Sequence, residues 1–228
     1  SGKEAKYIAR TLLNDLRIGG ADGILRDALA KAFFKEEASM IEKIESAYDL
    51  ANDYALVFEA ASKGKKELEK ITISPGRPMK VMLPVKVSDI KEAFRICGKP
   101  AAFEHKYDGF RVVISKDEKG EITLITRRLE NITKQFPDII EIAKKDIEAK
   151  SFILDTEVVG FDPNTKKYKP FEAISQRIKR KYDIDILQKA LPVEINVFDI
   201  LYHNGKILTH SPFAERRKLI EKIIKTTK

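Results

Sequence analysis

The feature that most constrains the fold of this chain is a change in the period of its apolar residues near residue 75. Before this point, apolar residues recur every three to four positions, the spacing of one face of an α-helix. Beyond Met79, short β-branched runs alternate with turn residues, as in β-strands. The stretch 74–78 contains two Pro and one Gly, which is typical of a domain boundary. The sequence therefore predicts a helical domain over 1–75 and a second domain over 76–228.

Amphipathic helices are predicted throughout the first domain. One runs from about residue 4 to residue 16 and stops before Gly19-Gly20. A second begins at Asp22, which can cap it, and a third covers about 37–51. A Lys-rich stretch at 63–66 then breaks the helical period. The first domain is therefore expected to be all-α.

Strands and helices are interleaved in the second domain. Two β-branched runs joined by the turn 116–120 predict a β-hairpin. The predicted strands cover 111–115, 121–126, 152–161 and 193–201, and the predicted helices cover 139–149, 172–190 and 214–224. This order indicates an α+β domain built on antiparallel sheet.

The net charge indicates which partners the protein can bind, and the cysteine count excludes some kinds of structural site. The net charge is +8, and all of the excess lies beyond residue 78, where 30 Lys and Arg face 22 Asp and Glu. A basic surface favours nucleic acid or an acidic membrane as partner, although a solvated Lys-rich surface gives the same count. Cys97 is the single cysteine, so an internal disulfide is excluded and a structural zinc site is not expected. Neither a signal peptide nor a membrane-spanning apolar run is present, which predicts an intracellular protein without membrane contact.

Lys106 is the candidate catalytic residue. It lies between a predicted short strand and an Asp108-Gly109 turn that leads into the next strand. An amine that attacks phosphorus must be deprotonated, and a nearby cation such as Arg111 or a bound Mg²⁺ favours that form. The same letters also suit a hairpin turn with charged flanks, so this segment alone leaves both interpretations open.

Four segments together resemble the nucleotidyltransferase motifs of ATP-dependent DNA ligases. The segment 103–112 is similar to motif I, which DNA ligases share with RNA ligases and mRNA capping enzymes. Three further matches follow in the order of the family, at 126–138, 152–159 and 197–205. The segment 126–138 and the helical first domain favour a ligase over a capping enzyme.

The resemblance implies roles for the residues around the nucleotide. Lys106 would take AMP as a phosphoramidate, and Glu104 would accept a hydrogen bond from the adenine amine. Arg111 and Arg127 would hold ribose or phosphate, because a guanidinium fork matches phosphate geometry. ATP is therefore the expected cofactor.

Glu157 and Phe198 complete the expected site. The resemblance implies that Glu157 contacts the ribose or a divalent cation, expected to be Mg²⁺, which would offset the negative charge of the phosphates. It also implies that Phe198 stacks on the base. Taken without the resemblance, Phe198 alternates with apolar neighbours, and a core position is the better interpretation.

A basic segment follows in a predicted helix. It contains Arg177, Lys179, Arg180 and Lys181, four cations within five positions. Such a segment can bind the nucleic-acid backbone, or it can be an exposed helix face. A similar segment in ligases favours contact with nucleic acid.

The resemblance also covers the first domain and stops short of a whole ligase. The segment 6–19 is similar to the C-terminal portion of the ligase DNA-binding domain, where backbone N–H groups at Gly19-Gly20 would meet phosphates. After 211–219 the chain stops at Lys228, without motif IV, motif V or an OB domain. We therefore expect a fragment with an incomplete adenylation domain, an uncovered sheet edge and no activity alone.

The expected function is that of an ATP-dependent DNA ligase acting in replication, repair and recombination. Its partners would be nicked double-stranded DNA and, in the intact protein, a sliding clamp, in the cytoplasm of a prokaryote such as an archaeon. An RNA ligase or capping-type nucleotidyltransferase is one alternative, and the helical first domain argues against it. A DNA-binding module without catalysis is the other, and Lys106 argues against that.

Overall fold

The computed structural model describes residues 1–12, 22–35, 37–82, 84–180 and 182–225. The chain forms two compact units, Ser1–Thr72 and Ile73–Lys228. Within the described residues, no helix is both long and apolar enough to cross a membrane.

The first unit is helical. Its helices are α1 (Gly2–Leu12), α2 (Asp22–Phe34), α3 (Ala38–Ala51), α4 (Tyr54–Lys63) and α5 (Lys65–Leu68). A small core of buried apolar residues joins α2, α3, α4 and α5, with Met40, Ile44 and Val57 fully buried. The predicted helix over 4–16 is described only as far as Leu12, and Gly19-Gly20 lies outside the described residues.

Two helices follow where none was predicted. Asn52 adopts a left-handed conformation and ends α3. Asp53 then caps α4, because its carboxylate accepts hydrogen bonds from the backbone N–H groups of Ala55 at 2.8 Å and Leu56 at 3.2 Å. The stretch 63–66 does not end the helical part, since Gly64 separates α4 from the one-turn helix α5.

The second unit is built around a five-stranded antiparallel sheet. The strands are β1 (Phe110–Lys116), β2 (Ile122–Thr126), β3 (Phe152–Gly160), β4 (Val193–His203) and β5 (Lys206–Ile207), in the order β2-β1-β3-β4-β5. The helices are α6 (Ile90–Cys97), α7 (Pro137–Asp146), α8 (Phe171–Lys179), α9 (Ile184–Ala190) and α10 (Phe213–Ile223), with a 3₁₀ turn at Thr133–Gln135. The predicted class, an all-α part followed by an α+β part with antiparallel sheet, is confirmed.

The predicted hairpin is also present. β1 and β2 pair antiparallel with Val112 opposite Thr126. The Asp117 carboxylate accepts from the backbone N–H groups of Lys119 and Glu121, both at 2.9 Å, and so stabilises the connecting turn.

The two faces of the sheet differ in chemistry. One face carries fully buried Val112, Ile114 and Leu154, and helices α7, α8 and α10 contribute apolar residues to the same core. Because side chains alternate along a strand, Arg111 and Glu157 lie on the other face. Two charged side chains therefore lie on the face opposite the core helices.

Strand β4 contains two irregularities in its pairing with β3. Asp155 lies opposite Asp199 while the next residue, Thr156, lies opposite Val197. Phe198 is therefore the extra residue of a β-bulge. A second shift lies nearer the end of β4, between Ile153 and Leu154 of β3.

Two local predictions were wrong. The predicted helix 172–190 is interrupted between α8 and α9, because Arg180 is extended (φ −77°, ψ 141°) and Asp183 is left-handed (φ 56°). The short strand predicted before Lys106 is also wrong, since residues 101–107 form no regular structure. Pairing of β1 with β3 begins only at Phe110, so the preceding residues have no strand partner to extend the ladder.

Arg177 is a structural residue, and the expectation that it contacts nucleic acid is wrong. Its side chain is 1% exposed. Its guanidinium donates to both carboxylate oxygens of Asp138, at 2.7 and 2.9 Å, and to the carbonyls of Gln135 and Leu191. The guanidinium carbon also lies 4.3 Å from the ring centre of Phe136. These contacts tie α8 to the start of α7 and leave no face for a phosphate.

We predict that Arg177→Met lowers the free energy of unfolding by about 3–5 kcal/mol, because it leaves the Asp138 carboxylate buried without its partner. The matched control is Lys179→Met, which removes an exposed cation from the same helix and should change stability by less than about 0.5 kcal/mol. Urea unfolding followed by circular dichroism measures both values. Equal values for the two variants would contradict the structural role of Arg177.

Candidate active site

The candidate site lies on the polar face of the sheet, where β1, β3 and β4 meet. Antiparallel pairing places Arg111 of β1 directly opposite Glu157 of β3. Asp155, two residues before Glu157, projects from the same face. Strands β1 and β3 thus carry one guanidinium and two carboxylates side by side.

Arg111 is held in place by Asp155 and by a backbone carbonyl. Its Nε donates to Asp155 Oδ1 at 2.8 Å, its Nη2 donates to Asp155 Oδ2, and its Nη1 donates to the Met82 carbonyl at 2.8 Å. Asp155 is buried, and its carboxylate raises the pKa of Arg111 above its ordinary value. These three hydrogen bonds fix the orientation of the Arg111 guanidinium. Because a guanidinium has five N–H donors, others remain for a ligand.

Glu157 has a carboxyl group that is easier to protonate than an ordinary glutamate. Burial raises its pKa, and this effect outweighs the opposing positive charge of Lys106, a hydrogen bond from the Gly109 backbone and the charge of Arg111. Gly109, three residues after Lys106, packs against the Val158 carbonyl, so the segment that carries Lys106 meets β3 next to Glu157. A half-buried carboxylate beside a lysine can bind a hydroxyl group or share a cation with a ligand.

Lys106 is exposed. Its segment is held against the sheet at Gly109, three residues further along the chain. A Cβ atom at Gly109 would lie 2.2 Å from the Val158 carbonyl oxygen, so no larger residue fits between the segment and β3. The segment is further bounded by an edge-on contact of Tyr107 with Tyr168, whose ring centres are 6.3 Å apart. Lys106 is thus held near the sheet by backbone packing, although it does not follow a strand.

Phe198 lies beside Arg111, outside the main apolar core. The Arg111 guanidinium carbon lies 5.4 Å from the centre of the Phe198 ring. The ring is partly exposed on the polar face, because Phe198 lies two residues after Asn196, which is opposite Glu157. The prediction of a core position, which the apolar neighbours alone favoured, is therefore wrong.

The remaining candidate residues lie around this group. Glu104 is exposed, two residues before Lys106 in the irregular segment. Arg127 is exposed in the turn after β2, and the preceding Thr126 pairs with Val112, next to Arg111. The structure therefore brings Lys106, Arg111, Glu157 and Phe198 together and places Glu104 and Arg127 on flanking segments.

The residues of the basic segment at the end of α8 differ in exposure. Lys179 and Arg180 are exposed, whereas Arg177 is buried as described above. Lys181 lies outside the described residues.

Asp155 is a site residue to which the sequence analysis gave no role. Its signal was present, because Asp155 and Glu157 are two positions apart in a predicted strand and so share a face. A carboxylate on that face beside Arg111 could have been expected to bind it. The Met82 carbonyl could not have been found in this way, because a backbone contact leaves no mark in the choice of residue.

Few protein ligands are available for a metal ion. Within the described residues, no group of three or more His, Cys, Asp or Glu side chains could hold one. Of the two carboxylates on this face of β3, Asp155 is bound by Arg111, whereas Glu157 forms no hydrogen bond with an arginine among the described residues. A divalent cation held by Glu157 would need further oxygen ligands, which water and ATP phosphates can supply.

Comparison with known proteins places these residues in a family. Residues 81–228 match the family model described as the ATP dependent DNA ligase domain. The chain is 46% identical to a DNA ligase of Nanoarchaeum equitans, over 97% of this chain and 38% of that protein. It is 40% identical to a DNA ligase of Thermococcus fumicolans, over 97% of this chain and 39% of that protein. It is 42% identical to DNA ligase 2 of Methanosarcina acetivorans, over 99% of this chain and 39% of that protein.

The chain thus spans under two fifths of the length of these curated relatives. The match to the family model includes every strand of the sheet and the four grouped residues Lys106, Arg111, Glu157 and Phe198. On this evidence the chain belongs to the ATP-dependent DNA ligase domain family.

Proposed function

We propose that this chain carries the AMP-accepting part of an ATP-dependent DNA ligase, and that the full-length ligase containing it seals nicks in double-stranded DNA. The observation that carries the proposal is the grouping of Lys106 with Glu157, the Arg111 fork and the Phe198 ring at one end of the sheet face. The relatives are named DNA ligases, which favours DNA over RNA as substrate. Replication, repair and recombination are the processes that require such sealing.

In the proposed reaction Lys106 is the nucleophile. Its deprotonated Nζ attacks the α-phosphorus of ATP, a P–N bond forms, and the P–O bond to the departing pyrophosphate breaks. The AMP then passes to the 5′-phosphate at a nick, which restores the lysine amine. The 3′-hydroxyl of the nick finally attacks this phosphate, so that the phosphodiester forms and AMP leaves.

The other residues bind and orient the nucleotide. Arg111 meets a phosphate or the ribose with the donors that Asp155 and Met82 leave free, and Arg127 approaches from the turn after β2. Glu104 accepts a hydrogen bond from the adenine amine, and Phe198 stacks on the base. Glu157 is the residue that would hold a divalent cation such as Mg²⁺, and the cation would supply positive charge to offset the negative charge of the phosphates.

Contacts with DNA are proposed from exposed cations. Lys179 and Arg180 lie exposed at the end of α8, where they can meet the phosphate backbone without the burial that excludes Arg177. The helical unit Ser1–Thr72 is proposed as part of a DNA-binding domain, with a sliding clamp as a further partner of the full-length ligase.

We predict that Lys106→Ala in the full-length ligase abolishes both the covalent AMP adduct and nick sealing while leaving the fold intact, because the side chain is an exposed nucleophile. Labelled ATP with Mg²⁺, followed by peptide mapping of the adduct, measures the first effect, and a nicked duplex measures the second. The control is Lys119→Ala, an exposed lysine in the β1–β2 turn, which should keep both activities. An undiminished adduct in Lys106→Ala would disprove the assignment of the nucleophile.

We predict that Phe198→Ala weakens ATP binding by about 1–3 kcal/mol, the loss expected for one base–aromatic stack. Stability should change little compared with that loss, since the ring lies outside the main core. Titration of ATP into Lys106→Ala and into the same protein with Phe198→Ala isolates binding from chemistry. The control Phe171→Ala removes a partly exposed ring elsewhere and should bind ATP normally. Unfolding of Phe198→Ala with unchanged ATP affinity would return Phe198 to a packing role.

We predict that the affinity for a divalent cation in the presence of ATP rises with pH as Glu157 ionises. Burial raises the pKa of Glu157, so the rise should extend above the acid range of an ordinary glutamate. The stability of the ligand-free protein should change in the opposite direction. Because the folded state binds the Glu157 proton more tightly than the unfolded state, the free energy of unfolding should fall as the pH rises over the same range. Titration with Mn²⁺ at several pH values measures the affinity. A pH dependence that persists in Glu157→Gln would show that another group binds the cation.

A further inference from the structure

The position of Phe198 is not fixed by strand pairing. It is the unpaired residue of a β-bulge, with Val197 opposite Thr156 on one side and Asp199 opposite Asp155 on the other. On the outer side of β4, strand pairing among the described residues involves only Tyr202 and His203, which pair with β5. The extra residue of a bulge is left out of the ladder, so contacts outside the ladder can fix the position of its side chain.

Arg216 of α10 holds the residue after Phe198. Its Nε donates to Asp199 Oδ1 at 2.7 Å and its Nη2 donates to Asp199 Oδ2 at 2.9 Å. The same Oδ1 accepts the Ile200 backbone N–H at 2.8 Å, and Arg216 Nη1 donates to the Ser211 carbonyl. The Asp199 carboxylate therefore connects the backbone of the bulge to the first turn of α10.

Arg217 holds the residue before Phe198. Its Nη1 donates to the Val197 carbonyl at 3.1 Å. Helix α10 is itself fixed to the core, because Ile220 and Ile223 are buried. Two consecutive arginines of α10 therefore form hydrogen bonds with β4 at the residues before and after Phe198.

We propose that Arg216 and Arg217 are positioning residues for Phe198. By fixing Val197 and Asp199, they hold the ring beside Arg111, in the place where a base can stack on it. The inference rests on the proposed function, since it deepens the role given to Phe198 in binding ATP. Neither arginine needs to touch the nucleotide.

The alternative is that both arginines only attach α10 to the sheet. Arg217 separates the two roles better than Arg216, because its side chain is 43% exposed and its ion pair with Glu221 is exposed and weak. Its removal should cost little stability. Arg216 is more buried, and its loss would leave the Asp199 carboxylate without its partner, so that variant would mix a folding defect with the functional one.

The test measures formation of lysyl-AMP by the full-length ligase as a function of ATP concentration. Arg217→Met should raise the KM for ATP about threefold or more, within the range of coupling between neighbouring groups, and leave the maximal rate unchanged. A shift in KM alone indicates lost binding common to ground state and transition state, whereas a merely unstable protein would lose active enzyme and hence maximal rate. The control is Lys218→Met, which removes the adjacent, exposed cation of α10 and should leave KM unchanged.

A double variant shows whether Arg217 acts through Phe198. If it does, Arg217→Met should raise KM no further in the Phe198→Ala background, because the ring it positions is already absent. Full additivity of the two changes, or an Arg217→Met variant with the KM of Lys218→Met, would overturn the proposal. Absence of any adduct on Lys106 in the unaltered ligase would instead overturn the proposed function, so the two failures are distinguishable.

Discussion

The antiparallel pairing of β1 with β3 is the constraint on which the candidate site depends. This register places Arg111 opposite Glu157 and brings Asp155 within reach of the same guanidinium. A slip of one residue would turn these charged groups into the apolar core and expose Val112 and its neighbours. The cost of such a slip is large because that core face is fully buried. The same strand register therefore buries the apolar core and aligns the residues of the candidate site.

Two arginine–aspartate pairs show how similar chemistry serves different ends. Arg177 and Asp138 are enclosed by backbone carbonyls and an aromatic ring, and Arg177 Nε is left without a hydrogen-bond partner, so the pair only joins two helices. Arg111 and Asp155 lie at an open face, where the arginine keeps unused donors. Burial of an ion pair costs desolvation energy, which bidentate geometry offsets in both places. Only in the second pair does the arginine keep N–H donors that a ligand can reach.

The sequence predicted the structure correctly where the spacing of apolar residues alone determines the secondary structure. Strands and the hairpin followed from alternation and turn residues, and the α+β class followed from their order. The bulge at Phe198 could not be predicted, because its neighbours alternate as in a regular strand and the extra residue appears only in the pairing with Thr156 and Asp155. The burial of Arg177 was hidden for a related reason, since a basic run looks like an exposed face until Asp138 is known to lie against it.

The open end of the polar face is determined by the segment that enters the second unit. The Gly76 backbone N–H donates to Ser115 Oγ at 3.0 Å, and the Met82 carbonyl accepts from Arg111 at 2.8 Å. This segment therefore runs along β1 from its end toward its start. On the same face Val113 and Ile153 are buried, whereas Glu157 is only half-buried. The face is thus closed over its apolar part and open where charged residues gather, and this difference is what makes one end of the sheet available to a nucleotide.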